Sequence, residues 1–277
     1  MGIEVNEILA KKILTEAKGY LDVGFTHSLN PYSGCAFSCR YCYVREMPIQ
    51  KFKEIPWGEW LDIKANAAEN YRNEIRKLRE KNKPVNIFMS SVTDPYQPIE
   101  RKAKITRSIL EEMIENPPDF LQIQTRSPLI TRDIDLLKKL NEICEVLVSI
   151  TIETDREDMK TIFSSYAPGI KLRIIALKEI HNAGISTQAS ISPVLPFTPD
   201  FPEVLIGIVD HIWIDTLSIG DGSMGKRSER LGMPELFQQH ELSKWYRKDL
   251  HLMVGKYFNK YFPTEMIRIS KKEAFPK

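Results

Sequence analysis

Short apolar runs alternate with segments of helical period along most of the chain. Residues 84–89 form an apolar run of strand length, and a helix follows with Ile105, Ile109 and Met113 spaced by four. Residues 121–126 read as the next strand, followed by a helix through Ile134, Leu137 and Leu140. Glu145–Thr151 is a strand, and a helix over about 170–183 is stopped by Gly184. Residues 185–192 make a strand closed by Pro193, and Thr198-Pro199 has the chemistry of a helix start. Residues 211–218 are the last strand of the series. Upstream, 25–30 is its first strand, and 61–78 reads as helical with Ala67, Tyr71, Ile75 and Leu78 on one stripe.

Six strand–helix units in sequence predict a parallel sheet, closed, partly closed or doubly wound. A filled barrel places branched apolar side chains inside. Here one strand face is polar instead: Gln122, Gln124 and Arg126, then Ser149 and Thr151, then Gln188, Ser190 and Ser192. The pattern therefore predicts a partial (βα)6 barrel in the α/β class, with a wet, substrate-sized lumen. An open sheet with half-exposed strands is the other reading. Residues 233–262 look mostly helical, and no linker marks a separate domain. The expected organisation is a barrel over 1–220, then a loop and helical extension over 221–277.

At 277 residues, 42% apolar and 27% charged, the chain is neither disordered, nor collagen-like, nor a disulfide scaffold. No apolar run approaches the roughly 18–20 residues that span a bilayer. The first residues carry no signal pattern, so the expected location is cytoplasmic with no membrane partner. The net charge of +2 is unevenly spread: residues 222–277 hold 12 Lys/Arg against 6 Asp/Glu. Cations interleaved there with Trp245, Tyr246, Tyr257, Phe258 and Tyr261 suit nucleic acid, or else the aromatics are core.

Three of the four cysteines, Cys35, Cys39 and Cys42, fall within eight residues with C-x3-C-x2-C spacing. Such clustering reads as metal ligation rather than cross-linking. Structural zinc takes four protein ligands, usually as two separated pairs, and no second pair exists. Three thiolates suit a 4Fe-4S cluster with one iron left open for chemistry. A zinc site with His27 as fourth ligand, or three reduced cysteines in a loop, are the alternatives.

The spacing, with Tyr41 before the last cysteine, resembles the radical S-adenosylmethionine superfamily. A narrower resemblance spans roughly Ser28 to Pro196. It rests on Ser28-Leu29-Asn30-Pro31-Tyr32, Ser91-Val92-Thr93-Asp94-Pro95-Tyr96-Gln97-Pro98, Thr125-Arg126-Ser127-Pro128, Ser149-Ile150-Thr151 and Ser192-Pro193-Val194-Leu195-Pro196. These look like the spore photoproduct lyase-like branch. The resemblance implies a 4Fe-4S cluster on Cys35, Cys39 and Cys42. It implies reductive cleavage of S-adenosylmethionine to a 5′-deoxyadenosyl radical, and hydrogen abstraction from a substrate. It also implies a one-electron donor of flavodoxin or ferredoxin type. Tyr41 and Tyr43 would lie near the adenine. Thr93 and Asp94 would hold the methionine amino group or the ribose, and Arg126 the carboxylate, with Ser149 and Gln188 completing the polar cage. The plainer roles are a turn for Thr93-Asp94, a surface cation for Arg126, and strand hydrogen bonding for Ser149 and Gln188.

One departure stands out. The position matching the lyase's hydrogen-donating cysteine is Ser91, and a serine's aliphatic O–H bond is too strong to serve. Cys144 precedes its strand, roughly 20 Å from the catalytic end at about 3.3 Å per residue. Tyr32, Tyr96 or the reformed cofactor are the candidate donors, and repair of the spore lesion itself is not expected. The loop from Gly220 to Arg230, with three glycines and three cations, suits an anionic group such as phosphate. The expected substrate is a nucleic acid, a nucleotide or a phosphorylated molecule. A small metabolite or natural-product intermediate is the alternative within the class. A non-catalytic, metal-stabilised nucleic-acid-binding module is the alternative outside it.

Overall fold

The structure, a computed structural model, describes residues 2–22 and 24–270. Met1 and the end of the basic stretch, 271–277, lie outside the described residues. The chain begins with strands β1 (Glu4–Ile8), β2 (Leu14–Glu16), β3 (His27–Leu29) and β4 (Tyr32–Ser33). Next come helix α1 (Pro48–Lys51), β5 (Trp60–Lys64), α2 (Ala67–Glu80) and β6 (Asn86–Met89). Then α3 (Glu100–Ala103), α4 (Ile105–Glu115), β7 (Phe120–Thr125), α5 (Ile134–Asn141) and β8 (Glu145–Thr151) follow. The second half holds α6 (Glu157–Phe163), α7 (Ile170–Asn182), β9 (Ser186–Ile191) and β10 (His211–Ile214). The chain closes with α8 (Lys226–Arg230), α9 (Met233–Gln239), α10 (Leu250–Phe258) and β11 (Ile267–Ile269).

The main sheet runs β11-β10-β9-β8-β7-β6-β3-β2. Every neighbouring pair is parallel except β2 with β3. The six strands read from sequence are β3 and β6 to β10, in chain order. Among the described residues β2 and β11 end the sheet without meeting, so the barrel is open.

Period-2 alternation sorts the strand residues as expected. Ile87, Ile123, Val148, Ala189 and Ile212 face outward, into one core with Ile109 and Met113 of α4, Leu137 and Leu140 of α5, and Leu177 and Ile180 of α7. The inward face carries Gln122, Gln124, Thr151, Gln188 and Ser190. An apolar plug of Phe25, Phe88, Phe120, Leu147 and Trp213 lies lower on that face. Phe25 sits edge-on to Phe88 at 5.1 Å between centroids and stacks on Phe120 at 5.8 Å. Phe25, Phe120 and Leu147 make that face apolar near the strand starts, while Phe88 and Trp213 reach up beside Gln122 and Ser190 and line the cavity with them.

Several expectations are corrected. The stretch 61–78 begins as strand β5, not helix. Trp60, Leu61 and Ile63 are buried in a small sheet ordered β1-β5-β4, and α2 starts only at Ala67. Thr198 starts no α-helix. Its backbone N–H donates to Asp155 at 2.8 Å and its hydroxyl to the same carboxylate, leaving only a 3-10 turn over Glu203–Leu205. The strand expected over 211–218 stops at Ile214, where the active-site loop begins. The C-terminal helices end in β11, which adds a parallel strand beside β10.

The C-terminal aromatics turn inward. Phe258 is fully buried, Trp245 packs on Phe197 at 4.9 Å, and the Tyr257 hydroxyl donates to the Pro199 carbonyl at 2.7 Å. Of those expected to meet nucleic acid only Phe258 is core; Trp245, Tyr246, Tyr257 and Tyr261 are half-buried and pack against the core from the edge. Among the described residues no helix is long and apolar enough to cross a membrane.

Candidate active site

A cavity of about 250 Å³ opens at the C-terminal ends of the parallel strands. The cysteine loop after β4 forms one side and the loop after β10 the other, and Cys35, Cys39 and Cys42 all line it. The cysteine loop is held from several directions. Gly34 has φ +78°, and a Cβ there would lie 2.4 Å from the Trp60 carbonyl oxygen. That neighbour, β5, is why glycine is needed. The Arg45 guanidinium donates to the Cys39 carbonyl at 3.0 Å and the Ser38 carbonyl at 2.8 Å. Gln97, fully buried, accepts from the Ala36 N–H at 2.9 Å and donates to the Gly34 carbonyl at 3.4 Å.

Burial pushes the Cys35 thiol up, with Asp94 and the other two cysteines adding to it. Burial and Cys39 push Cys42 up to about 11. Three thiolates would repel one another here without added positive charge, and that is the charge a set of irons supplies. Among the described residues no three His, Cys, Asp or Glu side chains converge on a single ion. His27 lies outside the cavity with its ring against the Thr26 hydroxyl at 2.8 Å, so the four-ligand zinc arrangement is not built.

Beside the cysteines sits an ionic group that sequence reasoning missed. Glu153, two residues beyond β8, pairs with Arg126 at 3.0 Å and with Arg173 of α7 at 2.6 Å, and it accepts from the Tyr41 hydroxyl. Burial pushes Glu153 up, but Arg173 and Arg126 outweigh it and hold the carboxyl below its usual range. Arg126 lines the cavity with its Nε buried and unpartnered, so it can still donate to a ligand. The sequence carried one signal: an acidic residue just past a strand's C-terminal end.

Of the other candidates, Thr93 faces the cavity with a buried, unpartnered hydroxyl. Asp94 also lines it, but its oxygens accept from Tyr96 N–H, the Thr125 hydroxyl and Arg126 N–H at 2.9, 2.7 and 2.9 Å. It ties the loop after β6 to the end of β7, as turn chemistry allows. The Tyr43 hydroxyl donates to the Ser91 carbonyl at 2.5 Å. Tyr41, Tyr43 and Gln188 line the cavity. Ser149 does not: it lies beside Gln188, whose amide donates to it at 2.8 Å.

Tyr32 and Tyr96, the expected hydrogen donors, are turned away from the cavity. Both are fully buried, Tyr32 with its hydroxyl on Glu100, Tyr96 beside Asp133 and Glu100. Cys144 lies just before β8, half-buried against the main core at the opposite end.

The loop 220–230 is not a waiting anion nest. The Asp221 carboxylate accepts from the backbone N–H groups of Ser223, Gly225, Arg227 and Ser228 at 2.8, 2.9, 2.8 and 3.1 Å. Arg227 donates to the Asp221 carbonyl at 2.7 Å, and Arg230 pairs with Glu46 at 2.7 Å. The place a phosphate would take is filled by the chain's own acid.

A parallel, open barrel with three loop cysteines at its C-terminal mouth defines a class, and comparison with known proteins bears this out. The chain belongs to the radical SAM superfamily, whose family model matches residues 29–205. It is a radical S-adenosylmethionine enzyme by that membership. An uncharacterized protein of Methanocaldococcus jannaschii is 36% identical over 205 residues, which cover 74% of this chain and 73% of the relative. An uncharacterized protein of Mycobacterium tuberculosis is 26% identical over 215 residues, 76% of this chain and 62% of that one. Among solved structures, spore photoproduct lyase superposes with a TM-score of 0.64, covering 96% of this chain and 82% of its own at 13% identity. That likeness shows a shared fold.

Proposed function

We propose that Cys35, Cys39 and Cys42 hold a 4Fe-4S cluster with one iron free for S-adenosylmethionine, and that the substrate lies deeper in the lumen. A cluster held there would supply the electron for reductive cleavage of S-adenosylmethionine, and the resulting 5′-deoxyadenosyl radical would be the agent of hydrogen abstraction from substrate. One observation carries this reading. The three cysteines and five buried, unpartnered polar atoms (Ser90 Oγ, Thr93 Oγ1, Gln122 Oε1, Gln188 Oε1 and Arg126 Nε) belong to one cavity lining. Buried polar atoms are normally paired, so such a group suits a polar ligand.

The chain's residues then divide the work. Thr93 and Arg126 offer donors to the cofactor's amino-acid end, with Arg126 aimed by Glu153. The rings of Tyr41 and Tyr43 flank the adenine. The apolar plug keeps bulk water from entering beneath. The electron comes from a donor of flavodoxin or ferredoxin type, in the cytoplasm, where the thiols stay reduced.

For the substrate, another spore photoproduct lyase structure, of a double mutant, carries bound S-adenosylmethionine and a dinucleoside spore photoproduct. Here the phosphate loop is filled by Asp221, the aromatics of the C-terminal segment are packed against the core by at least one face, and Ser91 lacks the thiol that hydrogen return needs. The site favours a small polar molecule over a nucleic acid, with the loop and helices of residues 221–258 acting as a cover on the barrel and β11 extending its sheet. The test is anaerobic reconstitution with iron and sulfide. A brown protein with about four irons per chain, releasing 5′-deoxyadenosine with dithionite and S-adenosylmethionine and losing both in Cys39→Ala, is expected. A colourless protein with one zinc and no such product would overturn it in favour of a metal-stabilised binding module.

A further inference from the structure

Among the described residues, the charged side chains lining the cavity are Asp94, Arg126, Asp215 and Asp221. Three are matched by the protein itself. Asp94 takes three donors from its own loop and β7 and has the Arg126 charge beside it, Arg126 is paired with Glu153, and Asp221 takes four backbone N–H groups of the loop it organises.

Asp215 is different. It follows β10 directly and is 7% exposed. It accepts from Thr216 N–H at 2.7 Å and from the Ser192 and Ser270 hydroxyls, and no described Lys, Arg or His pairs with it. Its charged neighbour is another acid, Asp221. Gly220 lies against the carboxylate: a Cβ there would fall 2.1 Å from Oδ2 and 2.5 Å from Oδ1. The absent side chain at 220 thus makes room for the carboxylate. On the same cavity wall the Gln122 and Gln188 side-chain oxygens, both 1% exposed, are also unpartnered.

A buried carboxylate with hydrogen bonds but no counter-charge is costly, and a ligand bringing the opposite charge removes that cost. We propose that Asp215, flanked by Ser192 and Ser270, is a substrate subsite for a protonated nitrogen: an ammonium, amidinium or guanidinium group. The proposal rests on the reading of this cavity as the radical enzyme's substrate chamber, and it names the chemistry that chamber selects. An anionic substrate is disfavoured there, because the one lining cation already has its partner. Asp215 is a specificity-determining residue in this account, and Gly220 positions it.

Three molecules of one shape and different charge test this: benzamidine, benzamide and benzoate. Each is titrated by calorimetry into anaerobically reconstituted enzyme saturated with S-adenosylmethionine. The wild type should bind benzamidine at least about tenfold more tightly than benzamide, with benzoate weakest. Asp215→Asn should remove the preference for benzamidine and leave benzamide within about twofold. Gly220→Ala, which keeps the acid but crowds it, should weaken benzamidine in the same direction. Equal affinity for benzamidine and benzamide in the wild type, tighter benzoate, or an unchanged preference in Asp215→Asn would each overturn the proposal. So would an Asp215→Asn variant that loses S-adenosylmethionine affinity instead, since the acid would then serve the cofactor. Iron content is measured first. A sample that takes up no iron contradicts the proposed function, which separates that failure from failure of the subsite.

Discussion

Glu153 is held between two guanidiniums in a place where water is scarce. Removing its charge leaves Arg173, fully buried, without a counter-ion, and frees Arg126 from its aim. Breaking a buried pair by deleting one partner costs about 3–5 kcal/mol. Glu153→Gln should therefore lower stability by that order in urea unfolding. It should also weaken S-adenosylmethionine binding, which Arg173→Met, further from the cavity, should affect less. Asp215 gives a pH signature. Burial, against the Thr216 N–H, raises its carboxyl from 3.8 to about 7. The folded state thus binds this proton more tightly than the unfolded chain does. The stabilisation is full below about pH 4 and is lost as pH rises through about 7, by roughly 4 kcal/mol at most. The difference in unfolding free energy between wild type and Asp215→Asn should follow that fall; a flat difference would show an ordinary carboxyl. Of these residues Asp215 was legible only as part of the strand expected over 211–218, Gln97 only as a letter of the 91–98 motif with no role, and Glu153 drew no notice. Glu153 and Gln97 act through partners 20 to 112 residues away in the chain, which no local pattern shows.

Elements were easier to read than contacts. Glu145–Thr151 matches β8 end to end, and the spacing of Ile105, Ile109 and Met113 marks α4. Each has enough residues for one period to dominate. β11 has three residues and β2 three, too few to show alternation. The segment 61–66 misled because its buried residues run on into the helical stripe of α2. The loop elements near the site make their own predictions. Asp221→Ala strips acceptors from four backbone N–H groups, at a cost of about 1–3 kcal/mol for each left unsatisfied. Hydrogen exchange across 222–230 should rise sharply while iron content stays near wild type, since that loop carries no cysteine. Gln97→Ala should do the converse. It leaves the backbone on both sides of Cys35 without a clamp, so the iron-to-protein ratio should fall while the 222–230 amides keep their protection.

At the scale of the molecule, the sheet order places its polar face, the cysteine loop and the loop after β10 around one chamber. That arrangement was visible in outline from the alternation of the strands, because the lumen face was polar where a filled barrel would be apolar. The charge balance of the chamber was not visible, because it depends on which acids the fold neutralises. The central claim is that three thiolates leave one iron corner open to an amino acid's nitrogen and oxygen. Mössbauer spectroscopy of protein reconstituted with the 57 isotope of iron addresses it directly. About a quarter of the iron signal should shift when S-adenosylmethionine is added, with the rest unmoved. A cluster whose spectrum is the same with and without S-adenosylmethionine, or the absence of any cluster signal, would contradict the account.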